Sequence, residues 1–76
     1  MSQIGTRLRT LRIERGLAQE EVARRAGVAL NTVVRAELGR VTPSTATVLK
    51  LAEALDVSAA ELLEGANGED PTPASV

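Results

Sequence analysis

Asn31 and Arg35 are the residues of this chain whose types and spacing best suit recognition chemistry. They lie one helical turn apart in the segment LNTVVRAEL, so on a helix they would project together from one face. An amide pairs bidentately with adenine and a guanidinium with guanine, each pair giving about 1–3 kcal/mol of discrimination between bases. Thr32 beside them suits a phosphate or a thymine methyl group. The pattern indicates a helix that reads base edges, and the alternative is a set of ordinary solvated polar residues.

A sharp corner between two short helices positions this face. Residues 19–38, QEEVARRAGVALNTVVRAEL, keep a buried side on both segments through Val22, Ala26, Val28, Val33 and Ala36. Gly27 takes a positive φ without a Cβ penalty, which ends the first of the two helices and allows the turn. Ala23 is small enough for two helices that cross steeply. The spacing predicts a helix-turn-helix, although an ordinary αα-corner in a helical bundle has similar ingredients.

Another amphipathic helix is predicted before the corner. Its apolar stripe consists of Ile4, Leu8, Leu11 and Ile13. Gly16 ends this first helix. The second helix is then predicted over residues 19–26 and the third over residues 30–38, with Gly39 as the end signal.

Two more helices are predicted after the corner. Pro43 and Ser44 form a start signal for the fourth helix. Its buried stripe consists of Val48, Leu51, Ala52 and Leu55. Ser58 with Glu61 forms a capping box that opens a short fifth helix.

The length of 76 residues predicts a single domain without a separate ligand-sensing domain. We expect the domain to occupy residues 1–64. Residues 65–76 have no apolar periodicity and contain two prolines, so they are predicted to form a disordered C-terminal tail. The start of the chain has no signal-peptide core, and no apolar run approaches the ~20 residues of a membrane span. The expected location is the cytoplasm.

Composition excludes several classes of function. The chain has no Cys, His or aromatic residue, so zinc fingers, redox chemistry and base stacking are excluded and the core consists of aliphatic side chains. No metal, cofactor or small-molecule ligand is expected. An enzyme fits poorly, because Lys50, the carboxylates and the hydroxyls form no recognisable constellation.

Charge is distributed unevenly along the chain. The net charge is −1, which by itself argues against a nucleic-acid partner. However, residues 1–40 carry eight arginines and four glutamates, a balance of +4, whereas residues 41–76 carry one lysine and six acids, a balance of −5. Such an asymmetry orients a protein as it approaches a polyanion. The alternative is that these charges only cover a soluble surface.

The combined motifs resemble the Cro/cI-type (XRE) helix-turn-helix family. They are IGTRLRTLRIERGLAQEEVARRAGV, the ExG at residues 37–39 and PSTATVLKLAEALDVSAAELL, in that order, and they cover residues 4 to about 63. The resemblance implies an all-α, five-helix lambda-repressor-like DNA-binding domain. It also implies DNA contacts from Leu30, Asn31, Thr32 and Arg35. The expected partner is double-stranded DNA, bound through the major groove.

Four residues outside this set also have predicted roles, three of them implied by the resemblance and the role of Arg40 by its position. Gln19 begins the second helix, where a phosphate is favoured by unpaired N–H groups and the helix dipole, and the family often places a phosphate-binding Gln there. Arg40, just beyond the third helix, suits a second backbone contact, which sets position rather than sequence choice. Arg12 and Glu37 occupy positions that often form a partly buried ion pair, the alternative being exposure of Arg12 to phosphate.

Some positions depart from the family pattern. Ala18 and Ala29 stand where Ser or Thr usually caps the second and third helices, and a lost cap costs about 1 kcal/mol. Asp56 replaces a helix-ending glycine. An apolar line beside Asn31 suits thymine methyls or sugars, or alternatively docking of a protein. It consists of Leu30, Val34 and Leu38.

These observations predict a sequence-specific transcriptional regulator, preferably a repressor, although activation is equally compatible. One helix reads too few bases, so a homodimer on an inverted repeat is expected. Its predicted interface is the fifth-helix region with Val57, Leu62 and Leu63, unless these leucines are buried within one subunit. The alternative function is a protein-interaction module, such as an antitoxin or a partner of another regulator.

Overall fold

The computed structural model describes residues 3–67. These residues contain five α-helices, and the predicted apolar stripes lie on them. The helices are α1 (Gln3–Glu14), α2 (Gln19–Ala26), α3 (Leu30–Glu37), α4 (Thr45–Leu55) and α5 (Ala59–Asn67). The predicted all-α, five-helix architecture is confirmed. Within the described residues, no helix is long and apolar enough to cross a membrane.

The corner between α2 and α3 forms at Gly27. This residue has φ 70° and ψ 33°, the left-handed conformation in which a Cβ would be strained. The N–H of Val28 donates to the carbonyl of Ala23 at 3.0 Å, which satisfies the open carbonyl end of α2. Helix α2 has the predicted bounds, and α3 ends one residue before the predicted end, with Leu38 as its C-cap. Only three residues therefore separate α2 from α3.

One aliphatic core joins all five helices. Its largest fully buried side chains are Leu8, Leu51, Leu55, Leu62, Val22 and Val33. The prediction for Ile13 is wrong, because this side chain is 54% exposed. At about 100° per residue, Ile13 lies on the side of α1 opposite to Leu8, so it cannot share the buried stripe.

Ser44 and Ser58 begin the last two helices as predicted. Ser44 Oγ accepts the N–H of Thr47 at 3.2 Å, and Ser58 Oγ accepts the N–H of Glu61 at 3.3 Å. Helix α5 continues to Asn67, so the predicted domain boundary after residue 64 falls within a helix. Apolar periodicity reports burial rather than helicity, so residues without an apolar period can still belong to a helix. The rest of the predicted tail, residues 68–76, lies outside the described residues.

A close contact between α1 and α3 holds the recognition segment against the rest of the domain. Gly5 of α1 is buried, and a Cβ at this position would lie 2.1 Å from the carbonyl oxygen of Ala36. Only glycine permits the two backbones to approach so closely. The contact places the last turn of α3 beside the first turn of α1.

Candidate nucleic-acid interface

The outer face of α3 presents polar side chains from a firmly anchored helix. Val33 and Ala36 are fully buried and attach α3 to the core. Asn31 and Arg35 lie on the opposite side and are exposed, while Thr32 is half-buried at the edge of this face. Among the described residues, neither the Asn31 nor the Arg35 side chain has a hydrogen-bond partner. Amide and guanidinium groups in this state are available to a ligand.

An apolar line runs along the same face. Leu30 is 40% exposed and Leu38 is 63% exposed, with half-buried Val34 between them. Val34 and Leu38 follow Asn31 by three and seven residues, so all three side chains occupy neighbouring positions on the helix surface. The outer face of α3 is therefore mixed, with aliphatic groups beside hydrogen-bonding ones.

Glu37 is the centre of a polar network that connects the end of α3 to the rest of the domain. Its carboxylate accepts two hydrogen bonds from the guanidinium of Arg12, from Nε at 2.6 Å and from Nη2 at 3.1 Å. The exposed fractions of the two side chains are 14% for Arg12 and 3% for Glu37. Arg12 Nη1 also donates to the carbonyl of Leu17 at 2.8 Å. The network therefore joins α1, the loop before α2 and the end of α3.

Gln19 belongs to the same network, which the sequence did not indicate. Its Nε2 donates to Glu37 Oε1 at 3.0 Å. A carboxylate only accepts hydrogen bonds, so Glu37 fixes which end of the Gln19 amide faces inward. The side chain is half-buried at the first turn of α2. Glu37 thus sets the positions of Arg12 and Gln19 together.

Arg40 lies beyond the C-terminal end of α3. Its N–H donates to the carbonyl of Arg35 at 2.9 Å, and its side chain is exposed. The intervening Gly39 has φ 75°. Arg40 and Asn31 are therefore separated by the length of α3, which is about 12 Å for eight residues.

The helix starts at the corner have no side-chain caps. Ala18 and Ala29 both have the extended conformation of an N-cap residue, but neither makes a side-chain cap hydrogen bond. The N–H groups of Glu21 and Thr32 donate to the carbonyls of Ala18 and Ala29, both at 3.0 Å. The N–H groups that precede them in each helix depend on water or a ligand. Glu20 and Glu21 in the first turn of α2 partly offset the partial positive charge there, whereas the first turn of α3 contains no acidic residue.

Helix α2 carries an ion-pair cluster on its exposed side. The Glu21 carboxylate accepts hydrogen bonds from Arg25 Nε at 2.8 Å and from the guanidinium of Arg24. Hydrogen bonds first from Arg25 and then from Arg24 lower the pKa of Glu21 below its ordinary value. Both arginines are therefore partly neutralised by their own helix.

A second apolar surface lies where α4 meets α5. Leu49 is 54% exposed and Leu63 is 39% exposed, and both line a groove with Ile4 and Ala59. The adjoining groove includes half-buried Val57. Leu62, by contrast, has no exposed surface, so its predicted place in a dimer interface is wrong. The turn of α5 directs Leu62 into the subunit core and Leu63 outward.

The buried corner and the outer face of α3 define a helix-turn-helix DNA-binding domain. The family model described as helix-turn-helix, HTH_3, matches residues 8–62. The chain belongs to this Cro/cI-type (XRE) helix-turn-helix family, which confirms the resemblance inferred from the sequence.

Two curated relatives illustrate the membership. The cryptic phage CTXphi transcriptional repressor RstR of Vibrio cholerae is 47% identical over 58 residues, which are 76% of this chain and 52% of the repressor. The chain thus spans about half the length of that relative. The HTH-type transcriptional regulator y4dJ of Sinorhizobium fredii is 42% identical over 60 residues, covering 79% of this chain and 78% of the regulator.

Solved structures show the same arrangement of helices. The restriction-modification controller protein C.AhdI from Aeromonas hydrophila has a TM-score of 0.78 and 41% identity, covering 80% of this chain and 92% of that chain. The SinR protein in its complex with the SinI protein matches with a TM-score of 0.78 and 33% identity, covering 91% of this chain and 68% of that chain.

Proposed function

We propose that this chain is a transcriptional regulator that represses by binding a specific duplex DNA site, with α3 in the major groove. The observation that carries the proposal is the exposed pair Asn31 and Arg35 on a helix anchored by fully buried residues. A recognition helix must hold its side chains in fixed positions relative to the base edges. The network around Glu37 supports this requirement because it restricts the movement of α3. The names of the two curated relatives agree with a role in transcription.

Two groups of contacts have different roles in this proposal. Asn31 and Arg35 pair with adenine and guanine edges, and Leu30 and Thr32 flank them in the groove. Gln19 and Arg40 hold the phosphate backbone at the start of α2 and the end of α3. Gln19 retains one amide hydrogen after its bond to Glu37, and it lies at a helix start that favours an anion. The backbone contacts position the domain, and the base contacts select the sequence.

Selection of preferred sites from a library of random duplexes tests this division. Arg35→Ala is expected to relax the preference for one base pair of the selected duplex. Gln19→Ala should lower the affinity for all duplexes by a similar factor. Because Gln19 also bonds to Glu37, the melting temperature of each variant must be measured in parallel. Equal losses on every sequence for both folded variants contradict the assigned roles.

We further propose that the chain acts as a homodimer on an inverted repeat. The apolar surface with Leu49, Leu63 and Val57 suits the interface, because exposed leucines adjoin two grooves on the side where α4 meets α5. A two-fold pair would place the two α3 helices about 34 Å apart, one turn of duplex DNA. This surface retains two of the three residues predicted from the sequence and replaces buried Leu62 with Leu49.

Sedimentation equilibrium tests the interface. Leu49→Glu introduces a charge at a side chain that is 54% exposed, so the subunit should keep its fold while the dimer dissociates. The variant should then bind the selected inverted repeat much more weakly than the wild-type chain does. Its affinity for an isolated half-site should be almost unchanged. If the Leu49→Glu variant remains dimeric, the interface lies elsewhere. Ile13→Glu, on the exposed side of α1, is the matched control and should leave the dimer intact.

A protein-interaction module is the second candidate function. The exposed leucines of α3 favour it, and one structural relative is seen in a complex with another protein. Salt dependence separates the two candidates. A dimer that contacts about six phosphates should lose DNA affinity with a log-log slope near −5, whereas an apolar protein interface should respond weakly. A chain that binds no duplex above scrambled competitor at low salt supports the second candidate.

A further inference from the structure

We propose that Leu30 and Val34 read the C5-methyl groups of thymines beside the bases paired with Asn31 and Arg35. The inference rests on the proposed DNA-binding function and names two further specificity determinants in the same site. It assigns a role to aliphatic side chains that the outer face of α3 exposes.

The placement of these residues on α3 supports the assignment. Leu30 is the first residue of α3 and is 40% exposed. Val34 follows one helical turn later and remains half-accessible. Val34 neighbours Asn31 and Arg35 on the helix surface, so a ligand that contacts the polar pair also contacts the valine.

The chemistry of the major groove matches this mixture of side chains. Every base pair presents hydrogen-bonding atoms in the groove, but thymine also presents an apolar group there, its C5-methyl. An aliphatic side chain beside an amide and a guanidinium is complementary to an A·T pair next to the base pairs that these two groups recognise. Solvation of Leu30 is unfavourable in the unbound domain, and contact with a methyl group removes part of that exposed area.

A protein partner fits the same face less well. It would have to cover Asn31 and Arg35 together with the leucines, since the apolar line runs directly beside the polar pair on one helix face. Covering a guanidinium without a matching acceptor is costly. Base edges provide acceptors at the required positions for both polar groups.

Leu38 is a control within the same helix. It is 63% exposed but lies at the C-cap of α3. Recognition helices of this motif contact bases mainly through their N-terminal residues. Leu38 should therefore lie outside the part of the groove that carries the methyl groups read by Leu30 and Val34.

Replacing thymine by deoxyuridine in the selected duplex tests the proposal, because this change removes only the methyl group. Loss of one buried methyl is expected to weaken binding about fourfold, and loss of the symmetric pair in both half-sites about fifteenfold. Each position is measured with the wild-type chain and with Leu30→Ala, Val34→Ala and Leu38→Ala. A methyl group read by Leu30 should lose its effect in Leu30→Ala, and one read by Val34 should lose it in Val34→Ala.

Each outcome has a defined meaning. Loss of the deoxyuridine effect in Leu30→Ala or Val34→Ala, but not in Leu38→Ala, supports the proposal. A selected duplex that binds equally well with deoxyuridine at every thymine overturns this inference and leaves the proposed function intact. A deoxyuridine effect that persists in both variants, or that disappears in Leu38→Ala, also overturns it. Absence of any preferred duplex overturns the proposed function and this inference together. Melting curves show whether Val34→Ala remains folded, and Val34→Ser, which also lacks the two γ-methyl groups, provides a second variant with the same expected loss of the deoxyuridine effect.

Discussion

Gly5→Ala is expected to destabilise the domain by forcing α1 away from α3. The added Cβ would lie 2.1 Å from the Ala36 carbonyl oxygen and 3.0 Å from that of Glu37, whereas ordinary contact begins at 3.4 Å. The opposing atoms belong to the backbone and cannot rotate aside. The two helices must therefore separate by more than an ångström, and this movement also pulls Arg12 away from Glu37.

The magnitude follows from two opposing effects. Overpacking a core costs about 1–3 kcal/mol, and a clash with backbone on one side favours the upper end. Replacing glycine by alanine within a helix gains about 1 kcal/mol of helix propensity. The net loss is about 2 kcal/mol. For a domain of this size that loss lowers the melting temperature by about 8–16 °C.

Thermal melting followed by circular dichroism measures this effect, with urea unfolding as an independent determination. Thr6→Ala is the matched control, because Thr6 is the next residue of α1 and is exposed. It should gain a few tenths of a kcal/mol from helix propensity, roughly 0.5 kcal/mol at most. If Gly5→Ala melts at or above the wild-type temperature, the close approach of α1 to α3 does not limit the size of this residue.

Three further predictions concern the polar network, the helix caps and the ion-pair cluster. Glu37→Gln removes the charge from a side chain that is 3% exposed, and breaking a buried ion pair should lower the free energy of unfolding by about 3 kcal/mol. Ala18→Ser and Ala29→Ser each supply a missing N-cap acceptor, and each should raise that free energy by about 1 kcal/mol in urea unfolding. The pKa of the Glu21 carboxyl, followed by NMR, should lie below its ordinary value, since hydrogen bonds from Arg25 and then from Arg24 lower it. Its ion pairs therefore stabilise the fold above the unfolded-state pKa and are lost as the pH falls through the folded-state pKa.

Each of these predictions has an outcome that contradicts it. Unchanged stability of Glu37→Gln would show that the network contributes little. Serines that leave stability unchanged would mean that water already satisfies the helix starts. A Glu21 pKa that is unchanged by Arg25→Gln would show that the hydrogen bond from Arg25 is not the main cause of the shift, since Arg24 alone should leave only part of it.

Short-range sequence signals predicted those helix boundaries that depend only on neighbouring residues. The bounds of α2 followed from a polar start and Gly27, and Ser44 marked the start of α4, because caps and glycine conformations act within one or two turns. The end of α5 was not predictable in this way. Residues 65–67 carry no apolar period, and the helix nevertheless continues to Asn67.

Some features of the candidate site were also predictable from the sequence, and others were not. The sequence placed Asn31 and Arg35 on an exposed helix face, since periodicity defines the buried side of α3 and thereby the opposite side. It also paired Arg12 with Glu37 through family resemblance. The bond between Gln19 and Glu37 joins residues 18 positions apart, and no local pattern encoded it.

The amino-acid sequence by itself determined the five helices, the corner at Gly27 and the polar groups that face outward, because each depends on short-range spacing and backbone preference. Only the tertiary structure decided that Gly5 must remain a glycine, that Leu62 is buried while Leu63 is exposed, and that Glu37 holds two partners. These features arise where helices distant in sequence meet. Their physical origin is the volume and hydrogen-bonding capacity of the neighbour across the interface, which periodicity along one helix does not contain.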